Sequence, residues 1–109
     1  MALGLYQKRV YNSNMNNKEK EILDITQEEC AEVIVAISKI SRFGLDNFKP
    51  GKPLTNRQHL AEELGDLQAM IDLCIEHNLV DQKEIVIAAS NKIAKLKKWS
   101  NIFESEINL

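Results

Sequence analysis

Apolar residues recur along this chain at the spacing of helices. Ile22, Ile25, Val33, Ala36, Ile40 and Phe43 fall on one stripe at about 100° per residue, which predicts an amphipathic helix from Asn17 to Phe43, stopped by Gly44. Thr26 and Glu29 have the spacing of a capping box, so a later start is the alternative; Ile22 and Ile25 already lie on the stripe and favour the longer helix. Leu60, Leu67, Met70 and Cys74 form a second stripe, predicting a helix from Asn56 to His77 that ends at Asn78. A third, capped by Asp81 and running from Gln82 to Trp99 or beyond, carries Ile85, Ala89, Ile93, Leu96 and Phe103. The connection from residue 44 to 55 contains Pro50 and Pro53, is long for a helix hairpin, and has a basic cast from Lys49 and Lys52 with Arg42 and Arg57 beside it. Residues 1–16, with Lys8 and Arg9 between Tyr6 and Tyr11, carry no readable period.

Two of these stripes hold carboxylates. Glu29 and Glu32 project onto the apolar face of the first helix, and Glu63 and Asp66 onto that of the second. Ionised side chains on a face turned inward cost several kcal/mol each unless something compensates them. Residues three apart on a helix project the same way, so two such pairs facing each other across antiparallel helices would form one cage of oxygens. Oxygen-only cages suit hard divalent cations, Mg²⁺ or Mn²⁺.

Composition changes this picture little. At 109 residues, 44% hydrophobic and 28% charged, with a formal charge of -2, the sequence is that of one all-α domain, 1–109, and gives no basic excess to suggest a nucleic-acid partner. No stretch is long and apolar enough for a membrane span or a signal peptide, so a cytoplasmic protein is expected. Cys30 and Cys74 read as reduced packing residues. Leu23, Ile34 and Ile37 form a second apolar strip on the first helix, more than three helices can cover; the bundle is expected to be completed by a homodimer or homotetramer.

The run Glu28-Glu29-Cys30-Ala31-Glu32 and the later Glu63-Leu64-Gly65-Asp66 resemble the motif pair of the MazG-like all-α nucleoside triphosphate pyrophosphohydrolases. The resemblance extends over roughly Ile22 to Lys98. It implies hydrolysis of an NTP or dNTP to the monophosphate and pyrophosphate, with Mg²⁺ held by Glu29, Glu32, Glu63 and Asp66. Glu28 matches a neighbouring acid, and Glu28 or Glu32 is the candidate to accept a proton from the attacking water. On the third helix, Asn91, Lys92 and Lys95 are the nearest match to the family's phosphate-contacting residues, and Lys98 lines up with them. The 44–55 loop makes the spacing between the motifs longer than the family's usual pattern. Glu-Glu-Cys-Ala-Glu-Val-Ile, with Ser38-Lys39 and Arg42-Phe43-Gly44 after it, looks most like small phage-encoded members of the MazZ kind, some of which act on purine deoxynucleotides such as dGTP.

Three other readings fit the same residues. A carboxylate-bridged di-iron or di-manganese bundle would use His59, four before Glu63, though Glu32 and Asp66 stand where such sites carry histidine. A non-catalytic helical interaction module would pair the acids with Lys or Arg of a partner. A phosphoribosyl-ATP pyrophosphohydrolase, from the same superfamily, would keep the site and change the substrate. For the base, Phe43, Trp99, Phe103 and Tyr6 are stacking candidates that could equally be core or interface aromatics.

Overall fold

A computed structural model describes residues 15–48 and 51–104 of the chain. The expectations placed on residues 1–14, Tyr6 among them, and on Lys49 and Pro50 lie outside these. Among the described residues there are three helices and no strand: α1, Asn17–Phe43; α2, Asn56–Glu76; and α3, Gln82–Trp99.

Local chemistry sets their ends. The Asn16 side chain accepts the Glu19 N–H at 2.8 Å while Glu19 accepts the Asn16 N–H at 3.0 Å, so α1 begins with a reciprocal capping box. Thr26, the alternative start, is instead mid-helix and donates its hydroxyl to the Ile22 carbonyl at 2.7 Å. Gly44 ends α1 at φ 94°, a conformation a side chain would strain, and donates its N–H to Ile40 at 2.8 Å. Thr55 and Gln58 form the same reciprocal box at the start of α2. Asn78, at φ 59°, turns the chain after α2, one residue beyond the His77 cap. Asp81 caps α3 by accepting the Lys83 N–H at 2.8 Å.

Helices α1 and α2 pack along each other as an antiparallel hairpin, with Ile22, Met70 and Cys74 buried and Ile25, Leu73 and Leu79 packed against them. Two turns beyond the acids, Ala36 is fully buried. The loop returns tightly to this end. Asn56, only 5% exposed, donates its side-chain amide to the Gly44 carbonyl at 2.9 Å and its backbone N–H to Asn47, and Arg57 grips Asp46 with two bonds of 3.1 and 3.2 Å.

Apart from this hairpin the apolar stripes find little cover. No residue of α3 is buried, and Ile93 and Phe103 are exposed. The second strip of α1 is open as expected, with Leu23, Ile34 and Ile37 all exposed. Cys74 is a packing residue and Cys30 is not: it faces outward beside the acids. Among the described residues no helix is long and apolar enough to cross a membrane.

Candidate metal centre

Midway along the hairpin, between the Ile22, Met70 and Cys74 cluster and the Asn56 lock, the two helices bring three carboxylates together. One oxygen each of Glu29, Glu63 and Asp66 lies within 4.8 Å of the other two. Glu29 and Glu63 are half-buried and Asp66 is exposed, so the group opens to solvent on one side. Helix α1 supplies one acid and α2 two, one turn apart.

Three observations suit this group to a cation. Oxygen Oε2 of Glu63 is buried without a hydrogen-bond partner among the described residues, a costly state for a carboxylate. Its Oε1 lies 3.7 Å from Nε2 of His59, one turn earlier, too far for a hydrogen bond. No lysine or arginine among the described residues pairs with any of the three, since the one such ion pair is Arg57 with Asp46, at the loop. Finally, desolvation, with Asp66, Glu63, Glu32 and Glu28 adding repulsion in that order, raises the affinity of Glu29 for its proton above the ordinary carboxylate value. A divalent cation would answer all three: it would satisfy the orphaned oxygen, replace the absent counter-charge and relieve the crowding at Glu29.

That crowding gives a pH signature to the metal-free protein. Because the folded-state pKa of Glu29 lies above the unfolded value, its contribution to stability is fully present below that value and is lost as pH rises through the folded one. The Arg57 guanidinium acts oppositely on Asp46, holding its pKa down, so that contribution is lost only as pH falls below the ordinary Asp range. In metal-free buffer, Glu29→Gln should therefore melt with the wild type near pH 4 and progressively above it toward pH 7. Equal melting temperatures across that range would show that Glu29 is not crowded.

Of the other residues the sequence points to, Glu32 and Glu28 are exposed, outside the three-oxygen cluster but close enough to repel Glu29. Asn91, Lys92, Lys95 and Lys98 are exposed on α3, which touches the rest of the described chain sparsely. Phe43, Trp99 and Phe103 are surface rather than core residues, each with a cation over its ring: Arg42 at 5.2 Å, Lys98 at 5.2 Å and Lys97 at 5.8 Å respectively.

One buried polar residue was not singled out by the sequence reading. Asn56 stands one turn before Leu60 on the apolar stripe of α2, and a polar residue on such a stripe is the same signal that marked Glu63. Beside Glu63, Asn56 and Lys52 help to line a cleft of about 260 Å³.

The family model of the MazG nucleotide pyrophosphohydrolase domain matches residues 17–99 of the chain, from the first residue of α1 to the last of α3. No curated protein and no solved structure matches it.

Proposed function

The chain belongs to the MazG nucleotide pyrophosphohydrolase family, and from that premise we propose that it is a Mg²⁺-dependent enzyme cleaving an NTP or dNTP, a purine such as dGTP among them, to the monophosphate and pyrophosphate. The observation that supports the reading most directly is the convergence of Glu29, Glu63 and Asp66, with one buried carboxylate oxygen left without a partner. Mn²⁺ is expected to substitute, since an open cluster of carboxylates sets few constraints beyond hard oxygen ligands.

In this reading Glu29, Glu63 and Asp66 hold the cation, and Glu32, one turn along α1 from Glu29, completes the ligand set or accepts a proton. A cation held there would supply charge neutralisation to the phosphates and would lower the pKa of a water. The carboxylates of Glu28 and Glu32 are solvent-exposed beside the cluster and are the groups available to take that water's proton. A triphosphate brings about four negative charges, so the chain must also offer cations. Lys92, Lys95 and Lys98 are proposed for that work, with the neutral amide of Asn91 as a hydrogen-bond donor to the same phosphates.

Oligomerisation belongs to the same proposal. Ile34 is 68% exposed and Ile37 49% on α1, Val86 61% and Ile87 58% on α3, more apolar surface than so small a core leaves comfortable in water. A homodimer or homotetramer would cover these strips. Sedimentation velocity should find the wild type as one of these, and Ile34→Lys with Ile37→Lys should shift it to a smaller species. A wild type that sediments as a monomer would remove this part of the reading.

The activity itself is tested by pyrophosphate release from the eight common NTPs and dNTPs, each with Mg²⁺ and with Mn²⁺. Release from a purine dNTP in preference to the others is expected, with none in the presence of a chelator. Absence of release from all eight would end the proposal.

A further inference from the structure

The cleft beside the acids has a composition that the reaction does not require. It is lined by Lys52 and Leu54 of the loop and by Asn56, His59, Glu62 and Glu63 of α2. Glu63 is shared with the acid cluster, so whatever is held by a cation there has this cleft as its neighbour. At about 260 Å³ the cleft is smaller than the roughly 300–1,000 Å³ of pockets that enclose a whole small molecule, and fits one ring system better than a complete nucleotide.

Its charges disfavour a second phosphate. Two carboxylates, Glu62 and Glu63, stand against the ammonium of Lys52, and neither Lys52 nor Glu62 has an ion-pair partner among the described residues. Hydrogen-bond capacity is tilted the same way. Asn56 gives one of its two amide N–H groups to the Gly44 carbonyl, and the Glu62 carboxylate only accepts. Leu54 adds an apolar surface and His59 a flat ring. Acceptors, a flat ring and one ammonium suit a nucleobase rich in N–H donors.

Resting on the hydrolase reading above, we propose that this cleft is the nucleobase subsite and that Glu62 selects the base, its two oxygens accepting from a ring N–H and the adjacent exocyclic amine. The guanine edge presents those two donors side by side, next to a carbonyl that the ammonium of Lys52 can meet. Thymine and uracil present one N–H between two carbonyls, and so would set an oxygen against the carboxylate. Glu62 differs from its neighbour Glu63 in function: Glu63 faces the cation and Glu62 the base.

Comparing dGTP with dITP isolates the exocyclic amine, because the two substrates differ in nothing else. In the presence of Mg²⁺ the wild type should favour dGTP over dITP by roughly tenfold or more in kcat/KM, as expected for a bidentate pair, with the difference carried by KM. In Glu62→Gln that ratio should fall toward one. A second variant, Leu54→Trp, fills the cleft; it should raise KM for nucleotides while inorganic tripolyphosphate inhibits it as well as it does the wild type. Circular dichroism establishes that both remain helical. An unchanged dGTP-to-dITP ratio in Glu62→Gln, or an unchanged nucleotide KM in Leu54→Trp, would overturn the proposal. Should the wild type hydrolyse no triphosphate, the hydrolase reading fails, and the base preference is read instead from equilibrium binding of dGDP and dIDP with Mg²⁺, where equal affinities would overturn the inference.

Discussion

Glu29→Gln should abolish nucleotide turnover and leave the helical content unchanged. Glu29 is the α1 contribution to the three-oxygen cluster, and it is the acid on which repulsion from Asp66, Glu63, Glu32 and Glu28 converges. Losing an outer hydrogen-bond partner typically costs a metal site about 10–100-fold, so loss of an inner carboxylate should cost at least the upper end of that range. A cation that binds only the folded state raises its stability by RT ln(1 + [L]/Kd), about 2.7 kcal/mol at a hundred times Kd. Millimolar Mg²⁺ should accordingly raise the melting temperature of the wild type and not that of Glu29→Gln. Asp66→Asn should behave in the same way. Glu32→Gln separates the two roles open to that residue: a ligand's loss would diminish the Mg²⁺ shift, whereas a proton acceptor's loss would lower kcat and leave the shift intact. An active Glu29→Gln enzyme, or one whose melting still responds to Mg²⁺ as the wild type does, would remove the assignment.

That prediction could be framed from sequence because helix periodicity fixes which residues share a face; Glu29 and Glu63 do lie partly covered between the helices, whereas Glu32 and Asp66, expected on the same inward faces, are exposed. The ends of the helices were legible for a related reason: Gly44 and Asp81 are local signals that act through the adjoining backbone. Periodicity does not say what a face meets. Ile85, Ala89, Ile93 and Leu96 mark a stripe on α3 as plainly as Leu60 and Leu67 do on α2, yet α3 buries none of its residues. Nor does it fix the last few ångströms. Glu32 is about 60° around α1 from Glu29, near enough to repel it and outside the three-oxygen cluster. The cleft depends on contacts between loop and helix that no periodicity encodes. The bond from Asn56 to Gly44 and the grip of Arg57 on Asp46 join residues 11 or 12 apart in sequence, and they place Lys52 and Leu54 beside Glu63.

Met70→Ala should produce the largest loss of stability of any single truncation in the hairpin. Met70 belongs to a core cluster whose other buried members are Ile22 and Cys74, and Ile25, Leu73 and Leu79 close around it without being fully covered. Truncating a buried Met or Leu costs about 2–5 kcal/mol, through lost transfer energy and the cavity left behind. A domain's whole stability is only about 5–15 kcal/mol, and with so few buried neighbours here there is little surrounding structure to absorb the gap. The loss reaches the site as well. Met70 lies one turn beyond Asp66 on α2, at the layer that holds α1 and α2 together next to the carboxylates. Metal-free Met70→Ala should therefore melt well below the wild type and recover part of the difference when Mg²⁺ is added, because the cation ties the same two helices together through Glu29, Glu63 and Asp66. Val86→Ala, which shortens a 61% exposed side chain on α3, provides the contrast. It should leave the thermal transition nearly where it was unless Val86 is covered in an oligomer, in which case its transition should depend on protein concentration more steeply than that of the wild type. A Met70→Ala protein as stable as the wild type would mean that the cohesion of this hairpin lies elsewhere than in the cluster of Ile22, Met70 and Cys74.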